Sequence, residues 1–174
     1  AYPVGSIFKL VTAACAKDSE LADTFQWDCT GTISVEGQLF HCHDDQGHGR
    51  QTMPLAMRNS CNPFFIQLSQ RLSGAELRQT AKALGFGQEI PLTTGQVASS
   101  GTLPTLQQLQ LPAERANFGF GQGILTATPL QITRMTCAIA GDGTLPEVRL
   151  VRGITEDGRN VLRESSARHS QGIS

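Results

Sequence analysis

The sequence predicts a mainly α-helical protein with a few short strands. Apolar residues recur at helical spacing in segments 5–16 and 127–140, and Pro63 opens another such run. The β-branched and aromatic residues that favour strands are concentrated in segment 24–42, where two glycines interrupt them. We therefore expect helices to dominate the fold.

The elements of the first half follow from these patterns. Ile7, Leu10, Val11 and Ala14 lie at helical spacing, which predicts a buried helix over 5–16. Segment 24–42 is predicted as short strands or irregular loop, and the polar segment 44–49 as loop. A short helix is expected over 52–58. After a break at 60–62, a second helix is expected to begin at Pro63.

In the second half, the run from Ser73 to Glu76 predicts the start of a helix that ends near Gly85. Residues 86–112 have little periodicity and several Gly, Pro, Ser and Thr residues, which favours loop. A clear helix over 127–140 stops at Gly141. Two short strands, 148–154 and 161–162, are expected around a turn at 156–158.

The composition restricts the classes of function. With 174 residues, of which 39% are hydrophobic, the chain has the size of one domain and can bury an ordinary core. It has 14 basic and 15 acidic side chains, so it presents no strong field to a polyanion. We therefore expect no nucleic-acid partner.

The chain carries no sequence signal for the membrane. No apolar run approaches the ~18 residues that a membrane helix needs, and residues 1–5 lack the charged start and apolar core of a signal peptide. There is no initiator Met, and residues 163–170 are polar without periodicity. We expect the chain to begin and end inside a larger domain, with any membrane anchor outside it.

The five cysteines cannot all pair within one chain because their number is odd. Cys15, Cys61 and Cys137 have apolar neighbours in helical patterns, which favours buried thiols. Cys29 and Cys42 bracket a Gly-containing segment that can form a hairpin. A disulfide between these two is a candidate, and it would agree with an extracytoplasmic location.

The histidines near these cysteines raise the alternative of zinc. His41, Cys42, His43 and His48 crowd together, and Cys29 is nearby. The spacing matches no regular finger pattern, and on a strand Cys42 would point away from the face that its two neighbouring histidines share. We therefore expect no metal.

Ser6 and Lys9 are the first candidates for chemistry. They are three residues apart at the start of a helix, so the hydroxyl and the amine share one face. A lysine can activate a serine hydroxyl when burial lowers the lysine pKa. The pattern alone is weak, because a Ser-x-x-Lys arises by chance in roughly half of chains of this length. A capping serine and a solvated lysine are the alternative.

Ser60 and Asn62 are the second candidates. They lie two apart in a break between helices, and Pro63 disfavours a helical conformation for Asn62. A hydroxyl and an amide would then face one cleft, where they suit proton relay and the binding of a substrate amide. The alternative is that Asn62 only caps the helix that begins at Pro63.

Four stretches of the sequence fit one known pattern in the right order. Residues 2–14 contain Ser6 and Lys9, and residues 48–56 precede the Ser-Cys-Asn-Pro-Phe-Phe stretch at 60–65, which begins 54 residues after Ser6. Residues 119–131 combine a Gly-Phe-Gly-Gln-Gly run with Thr-Pro-Leu-Gln. Together they resemble the transpeptidase domain of high-molecular-mass, class B-like penicillin-binding proteins, in the superfamily that includes the serine β-lactamases.

The family's Lys-Thr-Gly triplet does not occur in this sequence. The near match at 93–95 precedes the Gly-Gln-Gly run, whereas the family's triplet follows it, so we do not assign it that role. The resemblance implies that residues 1–174 are a partial transpeptidase domain, from the nucleophile helix to before the Lys-Thr-Gly strand. It implies a mainly α fragment of an α/β domain, with its central antiparallel sheet largely missing, that is poorly active alone.

The resemblance also implies a role for each candidate. Ser6 would attack the carbonyl between the two terminal D-alanines of a peptidoglycan stem peptide, Lys9 would take its proton, and Ser60 would relay a proton to the leaving group. Asn62 would bind the substrate amide. The residues that would shape the backbone near the cleft are Gly121, Gln122 and Gly123.

Partners and location follow from the same resemblance. The partners are peptidoglycan stem peptides, β-lactam antibiotics that stay attached to Ser6, and other cell-wall synthesis proteins, and no cofactor is required. The expected location is the bacterial cell membrane, with the catalytic domain on the extracytoplasmic side. The rival is a β-lactam sensor or an inactive binding module. A serine β-lactamase would need a water-activating carboxylate that we do not identify, and a helical domain of unknown role is the last alternative.

Overall fold

The computed structural model describes residues 1–93, 95–151, 153–156, 158–159, 161–164 and 169–170. The helices of this part of the chain are α1 (Lys9–Asp18), α2 (Leu21–Thr24), α3 (Met53–Arg58), α4 (Asn62–Arg71), α5 (Gly74–Ala83), α6 (Leu106–Leu109), α7 (Pro112–Gly119) and α8 (Pro129–Ala140). A 3₁₀ turn, Gly5–Phe8, leads directly into α1.

Short strands pair in twos throughout the described residues. They are β1 (Tyr2–Pro3), β2 (Trp27–Cys29), β3 (Thr32–Val35), β4 (Gln38–His41), β5 (Gly49–Gln51), β6 (Ile90–Thr93), β7 (Gln96–Ala98), β8 (Thr126–Ala127), β9 (Leu145–Pro146), β10 (Gly153–Thr155), β11 (Val161–Glu164) and β12 (His169–Ser170). The antiparallel pairs are β1–β8, β2–β5, β3–β4, β6–β7, β9–β12 and β10–β11. Within these ranges no larger sheet forms, which confirms the predicted mainly α class.

Local sequence explains where the later helices begin. Ser73 caps α5 and pairs with Glu76 in a reciprocal capping box, and Thr128 and Gln131 do the same for α8. The predicted helices over 5–16, 52–58, from Pro63, from Ser73 and over 127–140 are confirmed to within a few residues.

The prediction of mostly loop over 86–112 was wrong in part. This segment contains the hairpin β6–β7 and the short helix α6, which Thr105 and Gln108 cap in a third capping box. The helix α7 was not predicted either. Capping and tertiary packing stabilise these three elements, none of which has a strong apolar period in its sequence. Within the described residues of the first late strand, expected at 148–154, a strand forms at Gly153–Thr155. The turn expected at 156–158 includes position 157, which lies outside the described residues.

The core surrounds the start of α1. The Phe8 ring is fully buried, with ring centroids 5.4 Å from Phe86 and 4.7 Å from Phe118. At the end of α7, an added Cβ on Gly119 would lie 2.4 Å from Ser69 Cβ, so α7 and α4 are in close contact there. Aromatic packing immediately before Lys9 therefore fixes the position of α1.

Candidate active site

The Lys9 ammonium nitrogen is the centre of the candidate site. Lys9 Nζ lies 3.1 Å from Ser6 Oγ, 2.9 Å from Ser60 Oγ, 2.6 Å from the Ser60 carbonyl oxygen and 2.7 Å from Asn62 Oδ1. The structure thus brings Ser6, Lys9, Ser60 and Asn62 together, although more than 50 residues separate the two pairs in the sequence.

Burial shapes the chemistry of this amine. Lys9 is only 1% exposed, so the alternative of a solvated lysine is wrong. Its amine also lies 5.8 Å from the centre of the Phe65 ring. Burial lowers the pKa of Lys9 from 10.5 to about 8, and the nearby thiols of Cys61 and Cys42 act in the opposite direction. A lysine with this pKa is neutral in roughly one molecule in ten at pH 7, far more often than a solvated lysine.

The turn between α3 and α4 aims Ser60 at the amine. Ser60 has a φ of +47°, in the left-handed region that non-glycine residues seldom adopt. The turn is closed by backbone hydrogen bonds from Ser60 N to Met57 O, at 3.2 Å, and from Cys61 N to Ala56 O, at 3.0 Å. This conformation costs of order 1 kcal/mol or more, so the surrounding packing must hold it.

Asn62 is the first residue of α4, but its side chain does not cap the helix. The N-cap residue is Cys61, and Asn62 Nδ2 donates to the His41 carbonyl oxygen at 3.0 Å while Oδ1 accepts from Lys9. The capping alternative is therefore wrong. The contact with His41, at the end of β4, had no signal in the sequence because it depends on the backbone of another element.

The glycine run at 121–123 lies directly against the segment that carries Ser6. Gly5 N donates to the Gly121 carbonyl oxygen at 2.9 Å, and Gln122 N donates to Asn117 O at 2.8 Å. Nearby, β1 pairs with β8, so the segment after α7 holds the backbone that leads into the 3₁₀ turn and the first residue of the turn. Gly121 and Gly123 have φ values of +87° and +74°, in the region that favours glycine.

Replacing Gly121 by alanine is expected to displace Gly5 and Ser6. An added Cβ would lie 1.9 Å from the Gly5 carbonyl oxygen and 2.9 Å from Phe8 Cβ, and Gly121 has a φ of +87°. We expect the variant to lose about 3 kcal/mol or more of unfolding free energy, from overpacking together with backbone strain. The measurements are the unfolding midpoint and the rate of penicillin acylation in the full-length protein.

The matched control is Gly37→Ala. Gly37 has a similar φ of +83° but no atom within 4 Å of an added Cβ, so only the backbone cost of about 1 kcal/mol should appear. Equal losses in the two variants would contradict the close approach at Gly121.

The cysteines differ from the predictions in two ways. Cys29 and Cys42 are free thiols, so the candidate disulfide is absent from this structure. Instead, their sulfurs lie 3.8 Å and 3.4 Å from the same atom, His48 Nδ1. Cys15 and Cys61 are buried as predicted, whereas Cys137 is exposed on α8, so its predicted burial was wrong.

Two of these thiols have shifted pKa values. Burial raises the pKa of the Cys61 thiol. Burial acts in the same direction on Cys29, but hydrogen bonds from the backbone of His48 and Gly31 outweigh it and lower the Cys29 pKa. Cys29 lies near the histidines in the sequence, whereas Cys61 had no sequence signal for this group because its contact with Cys29 and Cys42 joins distant segments.

Taken together, the fold and the site define a class of protein. A serine hydroxyl and a buried lysine amine lie one turn apart at the start of a helix, and a second hydroxyl and an amide approach the same amine. This arrangement is typical of enzymes in which a lysine activates a serine for acyl transfer.

The family follows from comparison with known sequences. Residues 1–173 match the profile of the penicillin binding protein transpeptidase domain. The chain belongs to this family.

Curated relatives agree with this assignment. Over 146 residues, the chain is 35% identical to Stage V sporulation protein D of Bacillus subtilis, a match that covers 83% of this chain and 22% of that protein. Over 149 residues, it is 31% identical to the peptidoglycan D,D-transpeptidase PbpA of Mycobacterium tuberculosis, covering 82% of this chain and 29% of that protein. The chain therefore spans less than a third of the length of these relatives.

Solved structures share the fold. Penicillin-binding protein A of M. tuberculosis, in its ceftriaxone acyl-enzyme complex, matches with a TM-score of 0.83 and 25% identity over 98% of this chain and 39% of that one. A chain of a peptidoglycan synthase complex matches with a TM-score of 0.79 and 30% identity, covering 98% of this chain and 30% of that one. Among the residues that the structure describes, no helix has the length and apolar character needed to cross a membrane.

Proposed function

We propose that the full-length protein is a D,D-transpeptidase that cross-links peptidoglycan stem peptides through an acyl-enzyme on Ser6. The observation that carries this proposal is the contact of one buried amine, Lys9 Nζ, with the hydroxyls of both Ser6 and Ser60. Residues 1–174 are then the part of the transpeptidase domain that supplies the nucleophile, its base and the proton relay.

Acylation begins when neutral Lys9 accepts the hydroxyl proton of Ser6. Ser6 Oγ forms a bond to the carbonyl carbon of the penultimate D-alanine, and the carbonyl oxygen takes the negative charge. The backbone N–H of Ser6, at the start of the 3₁₀ turn, is our candidate for one donor to this oxyanion. The bond to the terminal D-alanine nitrogen then breaks.

The leaving amine needs the proton that Lys9 has taken. Ser60 Oγ, 2.9 Å from Lys9 Nζ, can pass a proton to the leaving nitrogen and regain one from the ammonium. An acceptor amine from a neighbouring stem peptide then attacks the ester on Ser6. Its proton returns through Lys9 to Ser6 Oγ, so the enzyme is regenerated. We assign Asn62 to binding the substrate amide and to orienting Lys9.

The relatives support the substrate class, the inhibitors and the partners. PbpA is named a peptidoglycan D,D-transpeptidase, and a neighbouring structure is an acyl-enzyme with ceftriaxone. Another is part of a peptidoglycan synthase complex. We therefore propose that β-lactams acylate Ser6 and that other cell-wall synthesis proteins are partners. We place the protein at the bacterial membrane, with this domain on the extracytoplasmic side, where its substrate lies.

The test uses the full-length protein with a synthetic stem peptide ending in D-Ala-D-Ala and an acceptor amine. We expect release of D-alanine together with the cross-linked product, both identified by mass spectrometry. After treatment with penicillin, the acyl group should be found on the peptide that contains Ser6. Stoichiometric acylation without any D-alanine release would instead support a sensor or inactive module. Rapid hydrolysis of penicillin would indicate a β-lactamase.

A further inference from the structure

Three cysteines and one histidine converge beside the candidate active site. The sulfurs of Cys29, Cys42 and Cys61 and a ring nitrogen of His48 all lie within 4.8 Å of one another. The four residues come from separate places: the end of β2, the residue after β4, the residue before β5, and the turn between α3 and α4. We call them the thiol cluster.

The distances in the thiol cluster fit a tetrahedral metal site. Zinc binds thiolate sulfur at ~2.3 Å and imidazole nitrogen at ~2.0 Å, so neighbouring sulfur and nitrogen ligands lie roughly 3.5 Å apart. The two measured distances from sulfur to His48 Nδ1 are 3.8 Å and 3.4 Å. Cys₃His is a donor set that zinc uses at structural sites, which provide four protein ligands. A softer donor set of this kind disfavours magnesium and calcium.

The cluster is buried as structural metal sites are. The exposed fractions of Cys29, Cys42 and Cys61 are 2%, 5% and 0%, and His48 is half-buried. All three cysteines also belong to the main hydrophobic core. A cation here would be shielded from water and held by ligands from four segments.

The surrounding backbone is already shaped around the cluster. Gly31 and Gly47 have φ values of +89° and +78°, and an added Cβ on either would lie 2.2 Å from a carbonyl oxygen, of Asp45 and Cys29 respectively. No other residue type fits these two positions without movement. The loop that carries Cys42 and His48 is thus folded tightly against the end of β2.

A polar network connects the histidine ligand to the active-site turn. The buried Gln51 side chain donates to the His48 carbonyl oxygen at 2.9 Å, and Asn59 Nδ2 donates to Gln51 Oε1 at 3.0 Å. Asn59 directly precedes Ser60, and Cys61 directly follows it. These hydrogen bonds hold the backbone of His48 and link it to the residue before Ser60.

We propose that Cys29, Cys42, His48 and Cys61 form a Cys₃His zinc site, and that the ion fixes the turn that presents Ser60 and Asn62 to Lys9. This replaces the expectation of no metal, which omitted Cys61. The binding site rests on the cluster geometry, and only the effect on acylation rests on the proposed function. Because Cys61 lies between two active-site residues, a bond from its sulfur to the ion would hold Ser60 in its left-handed conformation.

The first test measures metal binding to the full-length protein, reduced and reconstituted with zinc. We expect one zinc ion per chain by elemental analysis. Replacement by cobalt should give the visible bands of a tetrahedral site and thiolate-to-cobalt charge-transfer bands. Loss of a ligand should weaken binding by more than ~100-fold in Cys29→Ser and Cys42→Ser. Cys15→Ser is the matched control, because Cys15 is as buried as Cys42 but lies outside the cluster, and it should bind normally.

The second test measures the consequence for the active site. Removal of zinc by a chelator should slow penicillin acylation of the wild-type protein by about 10- to 100-fold, and zinc should restore the rate. Ser6→Ala should lose acylation but bind zinc normally. Zinc binding therefore tests the metal site independently of the proposed function. Wild-type protein that takes up no zinc and gives no cobalt–thiolate bands overturns the site, even if the cysteine variants do not fold. An unchanged acylation rate in zinc-free protein overturns the positioning role.

Discussion

A Ser6→Ala variant of the full-length protein is expected to show no covalent labelling by a fluorescent penicillin. Alanine leaves no oxygen to form the ester, and the other hydroxyl near the amine, Ser60 Oγ, is assigned to the proton relay rather than to the attack. The fold should persist, because Lys9 keeps its contacts with Ser60 and Asn62. The loss should be complete within the detection limit of gel fluorescence, corresponding to at least ~10⁴-fold.

The control for this variant is Ser34→Ala. Ser34 is exposed on β3, outside the site, so its replacement should leave both stability and labelling unchanged. Retention of labelling by Ser6→Ala, with the acyl group located by mass spectrometry on another residue, would remove the proposed mechanism.

The second large effect is expected at Lys9. Lys9→Met keeps most of the volume of the side chain but removes the base, so the acylation rate should fall by about 10²- to 10⁴-fold. The variant also leaves the polar atoms of Ser60 and Asn62 without their amine partner, which should cost about 1–3 kcal/mol of stability. The measurements are the second-order rate constant of acylation and the unfolding midpoint.

The dependence on pH separates a base from a merely structural lysine. The Lys9 pKa is lowered to about 8, and only the neutral amine above that pKa can accept a proton. The wild-type rate should therefore rise about tenfold per pH unit at lower pH and level off above pH 8. In Lys9→Met this rise should disappear.

Lys17→Met is the matched control, since Lys17 lies on the same helix but is exposed. Its rate and pH profile should equal those of the wild type. A wild-type rate that is flat across pH 8, or a Lys9→Met rate within a factor of two of the wild type, would contradict the assignment of Lys9 as the base.

Features that depend on contacts within one helical turn were predictable from the sequence, whereas features that depend on contacts between distant segments were not. The helix α1 and the Ser6–Lys9 pair were predicted because their contact lies within one helical turn. The hairpin β6–β7 was missed because its stability comes from packing rather than from a strong local pattern. The burial expected for Cys137 failed for a similar reason, since α8 has two faces and an apolar neighbour does not identify the buried one.

By itself, the sequence determined the helical class, the pairing of a hydroxyl with an amine at positions 6 and 9, and the family to which the motifs belong. Only the tertiary structure decided that Lys9 is enclosed by Ser60 and Asn62, and that Cys61 joins Cys29, Cys42 and His48. The physical reason is that spacing along a helix brings near neighbours together directly. Contacts between distant segments depend instead on how the whole core packs, and a lysine acquires a shifted pKa only when that core excludes water from it.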